Sequence, residues 1–242
     1  VYFSLFVLSA LSSSAQSIQE ARKLTDNEQY EESSAMYQKL ISMNPSDANL
    51  YYYFGDNLLL SDNQDSAKII FEKGKTIDPA NPLLKIGSAK LLLDALGTRE
   101  TKAALEKDNN NPELKSRNEE AIENVAQANK LIDEAVAKAP LKDPLIYIEA
   151  AEAYIHYKNK DLDKAKMLLD KANGIDQKNI EVNLLYGDIY AELVNGTLAA
   201  DYYNRALELN KSSARAIVSK GRLYKRATNY EGAAEEFLGK CD

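Results

Sequence analysis

Apolar side chains recur along this chain with the period of an α-helix. Residues 50–61 and 65–76 have apolar side chains at positions i, i+3, i+4 and i+7, which places them on one helix face. Residues 62–65 (DNQD) separate the two stretches with side chains typical of turns and helix N-caps. The prolines, at positions 45, 79, 82, 112, 140 and 144, all fall where this pattern predicts a helix boundary. The pattern therefore predicts an all-α chain of short helices.

The predicted helix pairs recur with a fixed period. Pro45 and Pro79 are 34 positions apart, and so are Tyr37 and Phe71. The same spacing returns near the C-terminus in the pairs Gly187/Gly221, Tyr190/Tyr224, Ala199/Ala233 and Tyr203/Phe237. Because two distant parts of the chain share one period, the sequence indicates a repeat architecture in which each repeat buries its apolar face against its neighbours.

This helix–turn–helix unit of 34 residues resembles the tetratricopeptide repeat (TPR) family. The second repeat matches at Tyr51, Gly55, Ala67, Phe71, Gly74 and Pro79, and the fifth at Gly187, Tyr190, Ala199, Tyr203 and Ala206. Further matches are Ala151, Tyr154, Ala165, Leu169 and Ala172 in the fourth repeat and Gly221, Tyr224, Ala233 and Phe237 in the sixth. The first repeat keeps Tyr37, Leu40 and Pro45 but departs from the pattern at Ser33.

The resemblance implies the fold of a TPR solenoid, a right-handed α-α superhelix of about six repeats. The repeats are expected near residues 17–47, 48–81, 82–142, 143–179, 180–213 and 214–242. The small residues of the pattern would let the two helices of a repeat approach closely, and the aromatic residue of the second helix would fill the space against the next repeat.

The third repeat is longer than the others, because its second-helix pattern returns only at Ala128, Ile132 and Ala135. We expect the extra residues to form an extended helical hairpin, with the first helix continuing through residues 103–105 and the second beginning early, at Pro112. The alternative is a partly disordered insertion. If it is helical, the segment 97–119 is a candidate specificity element, since insertions in repeat proteins often lie at a binding face.

Composition and charge exclude several functions. The chain of 242 residues has 30 basic and 37 acidic residues and a net charge of −7. It lacks the basic stripe that neutralises phosphates, so no nucleic-acid partner is expected. A single cysteine cannot form an internal disulfide. With a single histidine, neither a zinc site nor a histidine-based catalytic site is expected.

The first residues have the pattern of a secretory leader. Residues 1–11 (VYFSLFVLSAL) are almost wholly apolar, and Ser13 and Ala15 suit the small positions that precede a cleavage site. We therefore expect residues 1–15 to be a signal peptide, clipped at its start because basic residues are missing, with the mature chain beginning at Gln16. The alternative is a buried N-terminal helix. The apolar run is too short for a membrane span of about 20 residues, so a periplasmic or secreted protein is predicted.

No motif for catalysis, cofactor binding or metal binding was found. The chain lacks the glycine-rich nucleotide signatures, the His-Glu-x-x-His zinc motif and the Gly-x-Ser-x-Gly nucleophile elbow. His156, near the end of a predicted helix, is expected to be a partly exposed side chain of no catalytic role. The sequence therefore predicts no catalytic residue, no cofactor and no metal.

The resemblance implies a binding surface instead, because the first helix of each TPR repeat lines a concave groove. Positions 5, 9 and 12 of the repeat share one face of that helix. Position 5 is apolar and position 9 is charged in every repeat, which predicts an apolar stripe beside a row of charges. The residues predicted to contact a partner are Tyr52, Asp56, Leu59, Ile86, Lys90, Leu93, Ile148, Glu152, Ile155, Leu184, Asp188, Val218 and Arg222. The alternative is that position 5 packs only against neighbouring helices.

These observations favour a non-enzymatic scaffold or adaptor that binds a protein or peptide segment in its groove. One alternative is a nutrient- or glycan-binding helical protein. Another is the regulatory TPR region of a longer protein whose other domain lies beyond residue 242. The modest insertion and the Gln16 at the predicted mature N-terminus, where a lipidated cysteine would stand, argue against the nutrient-binding alternative.

Overall fold

The computed structural model describes residues 17–226. These residues form helices joined by short turns, and no strand occurs among them. The predicted leader, residues 1–15, and the predicted second helix of the sixth repeat, with Ala233 and Phe237, lie outside the described residues. The chain divides into two compact units, Val1–Leu91 and Leu92–Asp242, which are called here the N-terminal unit and the C-terminal unit.

The N-terminal unit contains two helical hairpins and most of a fifth helix. Residues 17–26 form α1, and the following helices are α2 (Tyr30–Met43), α3 (Ala48–Leu60), α4 (Gln64–Ile77) and α5 (Pro82–Ala95). The boundary between the units falls inside α5. The side chain of Asp47 caps α3 by accepting a hydrogen bond from the amide of Asn49, and Asn63 caps α4 through the amide of Ser66. Asp62, in the turn between these helices, has a φ of 60°.

Close packing at small residues explains the repeat pattern of this unit. Phe71 is fully buried, and its ring lies against Gly55 of α3 and Gly87 of α5. A Cβ atom at either glycine would overlap that ring, so the aromatic side chain of one helix requires glycine on two others. The contact with Gly87 is the predicted packing of the aromatic residue against the next repeat, and Gly55 is a small residue that lets α3 and α4 approach closely.

The departure at Ser33 has a structural cause. Ser33 is fully buried, and its hydroxyl donates to the carbonyl of Ala21 at 3.0 Å and lies 2.7 Å from the hydroxyl of Thr25. Thr25 in turn donates to Oδ1 of the buried Asn57 at 2.8 Å. A hydroxyl is therefore needed at position 33, because it connects α1, α2 and α3 through satisfied polar contacts.

The C-terminal unit begins with the last residues of α5 and continues through seven further helices. They are α6 (Thr98–Lys107), α7 (Pro112–Val136), α8 (Leu145–His156), α9 (Leu162–Ile175), α10 (Ile180–Glu192), α11 (Gly196–Leu209) and α12 (Ala214–Arg226). Helix α8 packs against α9, and α10 packs against α11. Tyr203 of α11 is buried against Gly187 of α10, where an added Cβ would overlap its ring. This contact repeats the Phe71 arrangement.

The long third repeat contains a helical hairpin, as expected, formed by α6 and the first part of α7. The side chain of Asn111 caps α7 by accepting from the amides of Glu113 and Leu114, and Pro112 occupies the first turn. However, α6 is a separate helix and not a continuation of α5, because the chain leaves the helix at Leu96 and Gly97.

Asn159, in the turn between α8 and α9, explains where that break falls. Its buried side-chain amide donates to the carbonyls of Leu93 and Leu96, at 2.9 and 2.7 Å. Its Oδ1 accepts from the amide and the hydroxyl of Thr98, at 2.8 and 2.9 Å. One side chain thus ends α5 and caps α6, whose own N-cap residue, Gly97, has no side chain to do so.

The prediction of an all-α, TPR-like fold is confirmed. Helices α3 and α4 lie within the repeat predicted at 48–81, α8 and α9 within 143–179, and α10 and α11 within 180–213. Among the described residues, no helix is both long enough and apolar enough to cross a membrane.

Candidate functional site

The apolar members of the predicted partner surface, except Val218, are core residues, which corrects the expected apolar stripe. They expose at most 7% of their surface, and they are Tyr52, Leu59 and Ile86 in the N-terminal unit and Leu93, Ile148, Ile155 and Leu184 in the C-terminal unit. Their helices explain this burial. Buried residues stand at consecutive positions along α3 and α8. They lack the spacing of three to four positions that marks a single buried face. A helix that is apolar all round is buried on all sides. The alternative that position 5 packs against neighbouring helices therefore fits those of these residues that stand at position 5, and the residues of position 12 are buried too.

Two of the charged residues of position 9, Asp56 and Lys90, pair with each other across repeats. In the N-terminal unit Lys90 is fully buried, and its Nζ donates to Oδ1 of Asp56 at 2.7 Å and to the hydroxyl of Tyr52 at 3.0 Å. The ammonium nitrogen also lies 5.4 Å from the centroid of the Tyr52 ring. Asp56 and Lys90 are 34 residues apart, so this ion pair joins equivalent positions of consecutive repeats.

A larger network in the C-terminal unit joins α8, α10, α11 and α12. Its centre is Asp188, whose Oδ2 lies 3.1 Å from Nε2 of His156 and 3.2 Å from Nη2 of Arg215. The hydroxyl of Tyr203 donates to Oδ1 of Asp188 at 2.8 Å. On its other side, Nδ1 of His156 lies 3.6 Å from Oε1 of Glu152. We call Glu152, His156, Asp188, Tyr203 and Arg215 the Asp188 network.

The network is charged across the neutral pH range. Burial of the His156 imidazole opposes its protonation, but the hydrogen bonds and charges of Asp188 and Glu152 outweigh burial and raise its pKa to about 9. Burial also opposes ionisation of Asp188, but the hydrogen bond from His156 and the charge of Arg215 lower its pKa to about 2. A histidine that stays protonated at neutral pH is a poor general base, so the geometry favours a structural ion network over catalysis.

Two members of this cluster were missed in the sequence. Arg215 forms an ion pair with Glu181, which lies 34 residues earlier. Once the period is known, opposite charges at the same position of consecutive repeats indicate an ion pair, and this signal is visible in the sequence. Tyr203 was assigned only a packing role, because nothing in the sequence indicates that its hydroxyl meets Asp188.

Some members of the predicted surface remain accessible in the C-terminal unit, and so does His156, which was not among them. The side chains of Glu152, Asp188 and His156 are 15%, 17% and 29% exposed. On α12, Val218 is half-buried and Arg222 is exposed. We call Glu152, His156, Asp188, Val218 and Arg222 the accessible face of the C-terminal unit. It is polar, with one apolar side chain.

Comparisons with known proteins agree with the fold. No protein-family model matches the chain, and no curated protein matches it in sequence. It is similar to the solved structure of TTC0263, a TPR protein of Thermus thermophilus, with a TM-score of 0.58 and 14% identity over 88% of this chain and 99% of that one. A human IFIT1 dimer with PPP-AAAA has a TM-score of 0.56 and 19% identity over 88% of this chain. The APC/C hetero-tetramer Cut9–Hcn1 has a TM-score of 0.52 and 17% identity over 90% of this chain.

This chain covers 46% of the IFIT1 chain and 37% of the matched chain of the Cut9–Hcn1 assembly, which is less than half of each. At these identities the likeness establishes the fold alone. The class of protein defined here is therefore an all-α chain of TPR-like helical hairpins.

Proposed function

We propose that this chain is a non-enzymatic scaffold for protein–protein interaction. The observation that carries the proposal is the array of TPR-like hairpins whose charged residues are committed to contacts between repeats, as in the pairs Asp56–Lys90 and Glu181–Arg215. Such contacts hold neighbouring repeats in register and leave a preformed surface, which lowers the entropy that a partner must lose on binding. The Cut9–Hcn1 structure, a protein assembly that contains a similar fold, supports the same class of function.

The partner segment binds on the accessible face of the C-terminal unit. Because Ile148 and Leu184 of position 5 are buried and Val218 is half-buried, this face cannot receive the apolar side of an amphipathic helix over its whole length. Glu152 and Asp188 instead present partly exposed carboxylates, and Arg222 presents a cation. A polar segment with charges of both signs fits this pattern, with one small apolar side chain against Val218.

Affinity capture with matched variants tests this proposal. The double variant Val218→Gln/Arg222→Glu changes the accessible face without touching Asp188. Lys166→Glu, on an exposed position of α9, is the control for a change of charge. We expect the double variant to retain less than about a tenth of the captured partner, which corresponds to about 1.4 kcal/mol, and the control to retain all of it. Equal capture by all three proteins would overturn the assignment of the surface.

We also propose that the protein is exported and acts in the periplasm or outside the cell. The apolar run of residues 1–11, followed by Ser13 and Ala15, supports this proposal. N-terminal sequencing of the protein purified from its native host tests it. Export predicts a mature chain that begins at Gln16 in the envelope or medium fraction. An uncleaved protein in the cytosolic fraction would contradict export.

A further inference from the structure

A polar cleft opens in the C-terminal unit between α9 and α11, with α10 as its floor. It has a volume of about 490 Å³. Asn173 and Gln177 line one wall, Arg205 and Leu209 line the other, and Asn183 lies on the floor. None of these residues belongs to the accessible face defined above. We call this feature the α9–α11 cleft.

The cleft is rich in primary amides. Within the described part of the chain, the side chains of Asn173 and Gln177 make no hydrogen bond. Asn183 donates to the carbonyl of Asn179 at 2.9 Å. A primary amide offers both N–H donors and a carbonyl acceptor, the same two groups that a peptide bond presents. Amides without partners in a preformed cleft can therefore pair with the main chain of another polypeptide.

The charges of the cleft argue against an ionic ligand. Asp170 accepts a hydrogen bond from the hydroxyl of Tyr186, and Glu208 places a second carboxylate at the rim. The guanidinium of Arg205 forms no ion pair with any described residue and lies 4.7 Å from the centroid of the Tyr202 ring. A ligand that carries several charges of one sign would meet a like charge as well as an opposite one along the cleft, whereas a neutral ligand meets no like charge.

The aromatic rings of the cleft are already occupied by one another. Tyr202 stacks on Tyr186 and Tyr190, with ring centroids 4.9 and 5.4 Å apart, and Arg205 lies over it as well. A flat ligand that needs an open ring face, such as a sugar or a nucleobase, has little to stack on. Hydrogen bonding to the side-chain amides is therefore the remaining way in which this cleft can recognise a ligand.

We propose that the α9–α11 cleft binds an extended, uncharged polypeptide segment through hydrogen bonds to its main chain. The α11 wall runs from Tyr202 to Leu209, a rise of about 10 Å, which matches about three residues of an extended chain. Asn173, Gln177 and Arg205 contact the peptide groups, and Leu209, which is 43% exposed, contacts one side chain. This site is separate from the accessible face, so the result of a test on one site does not decide the other.

The test uses a phage-displayed library of random dodecapeptides selected on the whole chain. Peptides that survive selection are measured by fluorescence polarisation against the wild-type protein and Asn173→Ala/Gln177→Ala. A second pair, Asn173→Asp/Gln177→Glu, keeps the side-chain shape and removes the N–H donors. Lys166→Ala, exposed on α9 outside the cleft, is the control, and circular dichroism confirms that all variants are folded.

We expect neutral peptides whose affinity falls about tenfold or more in both cleft pairs and stays within about twofold in the control, because each pair removes hydrogen bonds to the main chain of the peptide. Selected peptides that bind both pairs as tightly as the wild-type protein would overturn the proposal. A failure to enrich any peptide, or enrichment of highly charged peptides only, would overturn it too.

Discussion

Replacing Asn159 with alanine tests whether one turn residue holds the start of the long third-repeat hairpin. The Asn159 side chain is the only side chain seen to bond the carbonyls of Leu93 and Leu96 and the amide of Thr98 within residues 17–226. Asn159→Ala removes its two donated and two accepted hydrogen bonds. The main-chain bond from the amide of residue 159 to Leu93 stays in place, so the turn itself is preserved.

The size of the effect follows from those four bonds. Each contributes about 1 kcal/mol net, and a carbonyl or amide left buried without a partner costs somewhat more. Thr98 is half-buried, so water can replace part of what it loses. We therefore expect the free energy of unfolding to fall by about 3 kcal/mol, which lowers the midpoint of thermal unfolding by about 10 °C.

Thermal denaturation and amide hydrogen exchange measure the two consequences. In Asn159→Ala the amides at the start of α6 should exchange faster, because their cap is lost. Asn159→Asp keeps the accepting oxygen and loses both donors, so it should retain protection of α6 while losing stability. Asn109→Ala, at the exposed tip of the hairpin, is the control and should change stability by less than about 0.5 kcal/mol. A midpoint for Asn159→Ala within about 2 °C of wild type would show that these four hydrogen bonds do not stabilise the junction between α5 and α6.

Three further predictions concern packing, pH and the buried ion pair. Gly187→Ala should lower stability by about 1–2 kcal/mol in urea unfolding, because the clash with Tyr203 exceeds the gain in helix propensity; unchanged or higher stability would contradict this. The folded pKa of His156, about 9, lies above the unfolded value of about 6.5, so its stabilisation is full below about pH 6.5 and is lost as the pH rises through 9. The stability difference between wild type and His156→Gln should therefore shrink as the pH rises from about 6.5 to about 9, and a constant difference over that range would oppose it. Lys90→Met should cost about 2–4 kcal/mol in thermal denaturation, because a carboxylate loses its buried partner; a loss below about 1 kcal/mol would count against it.

Much of the fold is predictable from the sequence because the repeat pattern is local. The pattern predicted close helix approach at Gly55 and Gly187 and the packing of Phe71 against the next repeat, since period and side-chain size determine both. The separation of α5 from α6 was not predictable in this way. Its cap comes from Asn159, more than 60 residues away in the chain, and no local pattern carries information on such a contact.

The candidate surface was less predictable, for a physical reason. A helical period shows which residues share a face but not what covers that face. Ile148 and Leu184 share the face expected to line a groove, yet both are buried. The charges were more informative, because opposite signs one repeat apart, as in Asp56 and Lys90, fall within reach of each other. The α9–α11 cleft had no signal in the sequence, since Asn173 and Arg205 come from different repeats.

Site-specific photocrosslinking tests the central claim, that the chain holds a protein partner on the accessible face of the C-terminal unit. Benzoylphenylalanine is placed at Val218, which is half-buried on that face, and at Met167 of α9, which is 63% exposed, as the control. In native cells we expect a light-dependent adduct with one discrete protein from position 218 and none from position 167. Identical adducts from both positions, or no adduct from position 218, would contradict it.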